Sequence, residues 1–66
     1  MHEQFEVLQL NGDKWELVAA FGDFELANGV ARNRQARMRL VHATYEGGKQ
    51  ISQDVLADLG TTRENA

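Results

Sequence analysis

Two kinds of period run through this chain. From Phe5 to Leu10 and from Trp15 to Phe21, β-rich residues alternate, with Phe5 and Val7 on one face of the first run and Trp15, Leu17, Ala19 and Phe21 on one face of the second. Asn11-Gly12-Asp13-Lys14 separates them. Asn-Gly signals a hairpin because both residues tolerate positive φ. From Phe24 the period changes. Phe24, Ala27, Val30, Ala31 and the stem of Arg34 recur at spacings of three and four, which predicts a helix from Phe24 to about Ala36. Gly22 ends the second strand and Asp23 is placed to cap the helix, with Glu25 adding favourable charge to its first turn. Met38 to Tyr45 alternates again, and Glu46-Gly47-Gly48-Lys49 reads as a second hairpin turn.

The register of the first hairpin has two solutions. A four-residue loop, 11–14, sets Leu10 opposite Trp15 and Leu8 opposite Leu17. A three- or five-residue count sets Val7 opposite Leu17 and Phe5 opposite Ala19. The second gathers Phe5, Val7, Trp15, Leu17, Ala19 and Phe21 on one face and is preferred, since a one-residue slip moves every side chain to the other face. Asn28-Gly29 interrupts the helix, where Gly costs roughly 1 kcal/mol against Ala. Either the helix approaches the sheet closely there, or the weak spot is tolerated.

The segment from Lys49 also has two readings. It can pair back as a fourth strand, to about Leu56. Alternatively, Ser52 caps a short helix to Leu59, ended by Gly60 and stapled by Ile51 and Leu56. The strand is preferred, because the Gly-Gly turn needs a partner for the third strand and so short a helix is weak alone. The result is an α+β chain in the order ββαββ, with one helix on one face of a four-stranded antiparallel sheet. The third strand leaves the helix parallel to the second, so the first fits between them and the sheet order is 2-1-3-4.

At 66 residues the chain makes one small domain, burying only about 60% of the surface its unfolded form exposes. Small domains of this size commonly add a disulfide, a metal or a partner subunit. There is no cysteine, which removes disulfides and thiolate metal sites. Net charge is −3, so there is no general attraction to nucleic acid or anionic lipid. No apolar run approaches the ~20 residues of a membrane span. The polar start, Met1-His2-Glu3-Gln4, lacks the pattern of a secretory signal. A cytoplasmic location is the expectation, with residues 1–3 and 61–66 disordered.

Little here suggests catalysis or a cofactor. Ser52 is the one serine and has no Gly-x-Ser-x-Gly around it. His2 and His42 lack the spacing of a zinc pair. The glycines form no phosphate loop. Asp54 and Asp58 fit a solvated face better than an acid/base pair. The expectation is a chain that is not an enzyme, with no catalytic residue, metal or cofactor.

Two features bear on partners. Arg32, Arg34, Arg37 and Arg39 form a basic cluster with no acid among them, a possible anion or nucleic-acid contact. Arginines at a helix end also complement its dipole. Of seven Lys and Arg, the other three face ten acids, so the cluster has acids to pair with inside the chain or across a dimer. The second feature is the sheet face that one helix cannot cover. Leu8, Leu10, Val18, Ala20, Val41, Ala43 and Tyr45 are expected to gather there, and contiguous apolar patches mark interaction sites. The leading expectation is self-association through this face, as a homodimer or with another protein, and the alternative is nucleic-acid binding through the arginines.

At Phe5-x-Val7, Gly12-x-Lys14-Trp15-x-Leu17-x-x-x-Phe21, the helix, Met38-Arg39-Leu40-Val41 and Tyr45, the chain resembles a class of small bacterial proteins and domains. These pair an aromatic-x-Val strand, a Gly-x-basic-Trp turn, an Ala-rich helix and a Val-Arg-Val strand. The likeness spans about residues 5 to 56. It implies the strand–strand–helix–strand–strand order, no known activity and no functional residue. Asn28-Gly29 departs from the Ala-rich helix of that class.

Overall fold

The computed structural model describes residues 1–60. The strands are β1 (His2–Asn11), β2 (Lys14–Phe21), β3 (Met38–Glu46) and β4 (Lys49–Leu59), and one helix, α1 (Phe24–Asn33), lies between β2 and β3. The sheet order is β2-β1-β3-β4, and every neighbouring pair is antiparallel. The ββαββ architecture therefore forms as the hydrophobic pattern predicts. The segment after the Gly-Gly turn is a strand. Gly47 and Gly48 both hold positive φ, 61° and 82°, the geometry of a tight hairpin turn matched to the twist of its strands.

β1 begins earlier than the alternation indicated. His2 pairs with Tyr45 and Glu3 with Thr44, which corrects the expected disorder at these positions. β3 runs on to Glu46 and offers them backbone partners. The expected disorder of 61–66 lies outside the described residues.

The register of the first hairpin combines both solutions. Near the turn, Leu10 faces Trp15 and Leu8 faces Leu17. Beyond a bulge, Val7 faces Ala19 and Phe5 faces Phe21. Val18 is the extra residue. This corrects the preferred single register: Phe5, Val7, Ala19 and Phe21 share the helix side, while Trp15 and Leu17 share the other side with Leu8 and Leu10. An inserted residue switches the alternation partway along the strand.

Asp23 caps α1, its carboxylate accepting from the Leu26 N–H at 3.0 Å. Ala27 and Ala31 are fully buried against Val7, Met38 and Leu40, with Phe5, Phe21 and Val30 packed around them. From β4, Ala57 and Leu59 join this core. The helix stops at Asn33 rather than near Ala36, because Arg34 is extended. The chain must straighten there: Ala36 packs on the core, the Arg37 carbonyl accepts from the Leu10 N–H at 3.0 Å, and Met38 has to reach the interior. Arg34, expected to lend its stem to the inward stripe, instead donates to Gln9 Oε1 at 3.1 Å.

Gly29 faces open space, with nothing within 4 Å of where a Cβ would stand, which favours the tolerated weak spot over a close approach. Gly60 is the opposite case. Its φ is +75°, and a Cβ would overlap the Ala36 carbonyl oxygen. Gly29→Ala is therefore expected to raise stability by about 0.5–1 kcal/mol, and Gly60→Ala to lower it by about 1–3 kcal/mol. Urea denaturation midpoints check both. Opposite signs would disprove this account of the two glycines.

Candidate functional site

α1 covers one side of the sheet. On the other side, cross-strand pairing sets out rows of side chains. Trp15 lies beside Leu10, and Leu17, Leu8, Arg39 and Asp58 form the next row. Ala20, Glu6, Val41 and Val55 follow, then Gln4, Ala43 and Gln53, then His2, Tyr45 and Gln50. One end of this face is apolar and the other polar.

The apolar end is the outer side of the β1–β2 hairpin. Leu17 is 58% exposed and Val18, at the bulge, 38%. Leu8 and Leu10 are half-buried and Ala20 is exposed. Val41 and Ala43 lie on this face but are fully buried, so they have no surface to offer a partner. Tyr45, the last residue expected in this patch, is half-buried at the polar end.

The polar end is held by Glu6, a carboxylate only 6% exposed. Its Oε2 accepts from the Tyr45 hydroxyl and from Gln4 Nε2 at 2.8 Å, and Gln50 Nε2 donates to the Tyr45 oxygen at 3.2 Å. Register places Ala43 between Glu6 and Tyr45, so the bonded pair shields it. A buried carboxylate is tolerable only when it has donors such as these. The bond to Glu6 and then burial hold the Tyr45 phenol above its ordinary 10.0; the Gln50 bond opposes them and the Glu6 charge adds a last, smaller rise. Beside this network is a groove of about 520 Å³ lined by Met1, His2, Gln4, Tyr45, Gly47 and Gly48. Its polar side chains bond one another: His2 Nε2 is 3.0 Å from Gln4 Oε1, and Gln4 and Tyr45 are bonded to Glu6.

The arginines do not act as one patch. Arg32 Nε donates to Asn28 Oδ1 at 3.0 Å, one helical turn back, and Arg34 is held by Gln9. Arg37 and Arg39 share Asp58, at 3.6 and 3.2 Å. The Arg39 guanidinium also lies 4.0 Å above the Trp15 ring, with Arg37 at 5.8 Å. Such stacking contributes about 0.5–1 kcal/mol at exposed sites. The position of Trp15 on this face makes the contact possible, and the hydrophobic pattern alone had assigned Trp15 to the helix side. His42 sits on the helix side, stacked on Phe5 with centroids 5.1 Å apart and 3.0 Å from Glu3.

No group of three or more His, Asp or Glu side chains that could hold a metal occurs among the described residues. No helix among them is long and apolar enough to cross a membrane. Comparison with family models, curated proteins and solved structures finds no match for the chain.

Tyr45 is the one tyrosine, so a phenolate absorbance titration reads it alone. The midpoint is expected above 10.0, and Glu6→Gln should lower it. The sign follows from linkage: the folded state holds the proton more tightly, so this stabilisation is complete below the unfolded pKa and is lost as pH rises through the folded one. A wild-type midpoint at or below the ordinary value would rule out the Glu6–Tyr45 bond.

Proposed function

We propose that this chain is a non-catalytic protein-interaction module that self-associates through the sheet face α1 leaves uncovered. The observation that carries the proposal is Leu17. It is 58% exposed in mid-strand, on a face where Leu8, Leu10 and Trp15 surround it. Removing such a side chain from water is worth about 1.5–3 kcal/mol when burial is complete, and the fold leaves that gain unused. Two-fold dimers are the commonest oligomers. A symmetric contact of this patch with itself would cover Leu17 with the same apolar row of a second copy. The exposed Val18 and Ala20 would extend it, and the Arg39–Trp15 stack would form its border.

Nucleic-acid binding through Arg32, Arg34, Arg37 and Arg39 is the weaker reading. A phosphate backbone would have to displace Asp58 from Arg37 and Arg39 before it could use them.

Sedimentation across a concentration series is expected to show a reversible rise in mass by high micromolar concentration. Leu17→Glu should weaken that association by about tenfold or more, ~1.4 kcal/mol. Because Leu17 is exposed, its fold should survive, which circular dichroism checks. A wild-type chain that stays monomeric at high micromolar concentration, or a Leu17→Glu chain that associates unchanged, would refute the proposal.

A further inference from the structure

β4 carries a second surface that the face contact does not use. It is an edge strand of eleven residues. Ala57 and Leu59 anchor its far end in the helix core, but Lys49–Leu56 is exposed throughout. Phe24, the first residue of α1, packs edge-on against Phe5 at 5.8 Å, so α1 begins at the level of Phe5 and its strand partner His42. The β3–β4 hairpin runs on past that level, and its outer strand is held by β3 alone.

The exposed stretch Lys49–Leu56 carries Ile51, Val55 and Leu56, which are 51%, 52% and 46% exposed. Ile51 and Leu56 are the extra residues of the two β4 bulges. Edges that must stay unpaired are blunted by charged residues, lysine above all, by proline, or by bulges that twist the strand away; the two bulges of β4 flank Ser52–Val55 and leave that stretch in regular register. Here the chain has no proline, and the one lysine of β4 is its first residue.

We propose that the outer edge of β4 pairs with β4 of a second copy, antiparallel about a two-fold axis through Gln53, joining two four-stranded sheets into one. Such an axis, perpendicular to the sheet, requires facing residues to lie on the same side. Between the bulges it must therefore fall on Ser52, Gln53, Asp54 or Val55. An axis at Asp54 sets that carboxylate against itself, which is repulsive. An axis at Ser52 or Val55 leaves Ile51 facing Gln53 or Leu59. An axis at Gln53 sets Ile51 against Val55 of the second copy, twice by symmetry, and Ser52 against Asp54. It alone pairs these two exposed aliphatics with each other and opposes no like charges. The partner that fits this edge is thus the same strand.

This contact is separate from the one on the sheet face, and its test is independent. The chain has no cysteine, so Gln53→Cys introduces a single thiol. On the axis, the two Cα atoms would stand about 4.5–5.5 Å apart, within the ~4.4–6.8 Å span of a disulfide. With Asp54→Cys they would be diagonal neighbours at about 7–8 Å, outside it. Glu25→Cys, exposed on α1, reports random collision. Under mild oxidation Gln53→Cys is expected to become covalent dimer almost completely, with the other two at least tenfold slower. Adding Ile51→Lys and Leu56→Lys should slow the Gln53→Cys reaction by a similar factor. Leu17→Glu should leave it unchanged, which separates edge pairing from face association. Equal rates for all three single-cysteine chains, or no dimer from Gln53→Cys, would overturn the edge pairing and leave the face contact to its own test.

Discussion

The reach of α1 is the constraint from which the rest of the molecule follows. Ten helical residues span about 15 Å at 1.5 Å each. Eleven residues of β4 span about 35 Å at roughly 3.3 Å each. The helix cannot cover the sheet along its length, and it touches one side only. Its contact is made close by Ala27 and Ala31, which let the helix backbone settle on Val7, Met38 and Leu40. A larger residue at either position would lift the helix from these three side chains. Core, bare face and projecting hairpin are all consequences of where those two alanines sit.

The bulge at Val18 decides what the bare face contains. Without it, β2 would turn Trp15 and Leu17 toward the helix along with Ala19 and Phe21. The inserted residue lets the near part of β2 present its aromatic and leucine to the open side while the far part feeds the core. Trp15 then becomes the platform for Arg39, and Asp58 on β4 binds the same guanidinium from the other edge. Side chains from β2, β3 and β4 are thereby linked across a face that no helix covers. These contacts are partly exposed and individually small, yet they tie both outer strands to the centre.

The strand order and the helix were legible because two periods, two turn signals and one cap residue agreed with each other. The hairpin register was not. From Leu17 to Ala20, β2 is apolar at every position, so alternation carries no parity there and cannot reveal a bulge. The composition of the bare face was legible only in part for the same reason. Val41 and Ala43 are on the side that counting assigns them, but burial is a tertiary property. Their neighbours on that face include the longer side chains of Glu6, Tyr45 and Arg39, and no local pattern announces that a glutamate on an open face will be bonded rather than solvated. The helix end was misplaced because helical spacing says nothing about the extended path the chain needs to carry Met38 into the core.

These details also bear on how a partner could engage the chain. The apolar row around Leu17 and the aliphatic rim of Ile51, Val55 and Leu56 lie on β2 and β4, the opposite edges of the sheet. Between them the face is occupied by the Glu6–Tyr45 network and by Arg37 and Arg39 paired with Asp58, although the buried Arg39 Nε has no hydrogen-bond partner. Breaking them to lay one continuous partner across the face would strand Glu6, a carboxylate with little solvent of its own, at the cost of an uncompensated buried charge. A partner gains most by covering one apolar margin and leaving the polar middle intact. Separate contacts at the two margins therefore suit this sheet better than a single contact spanning it.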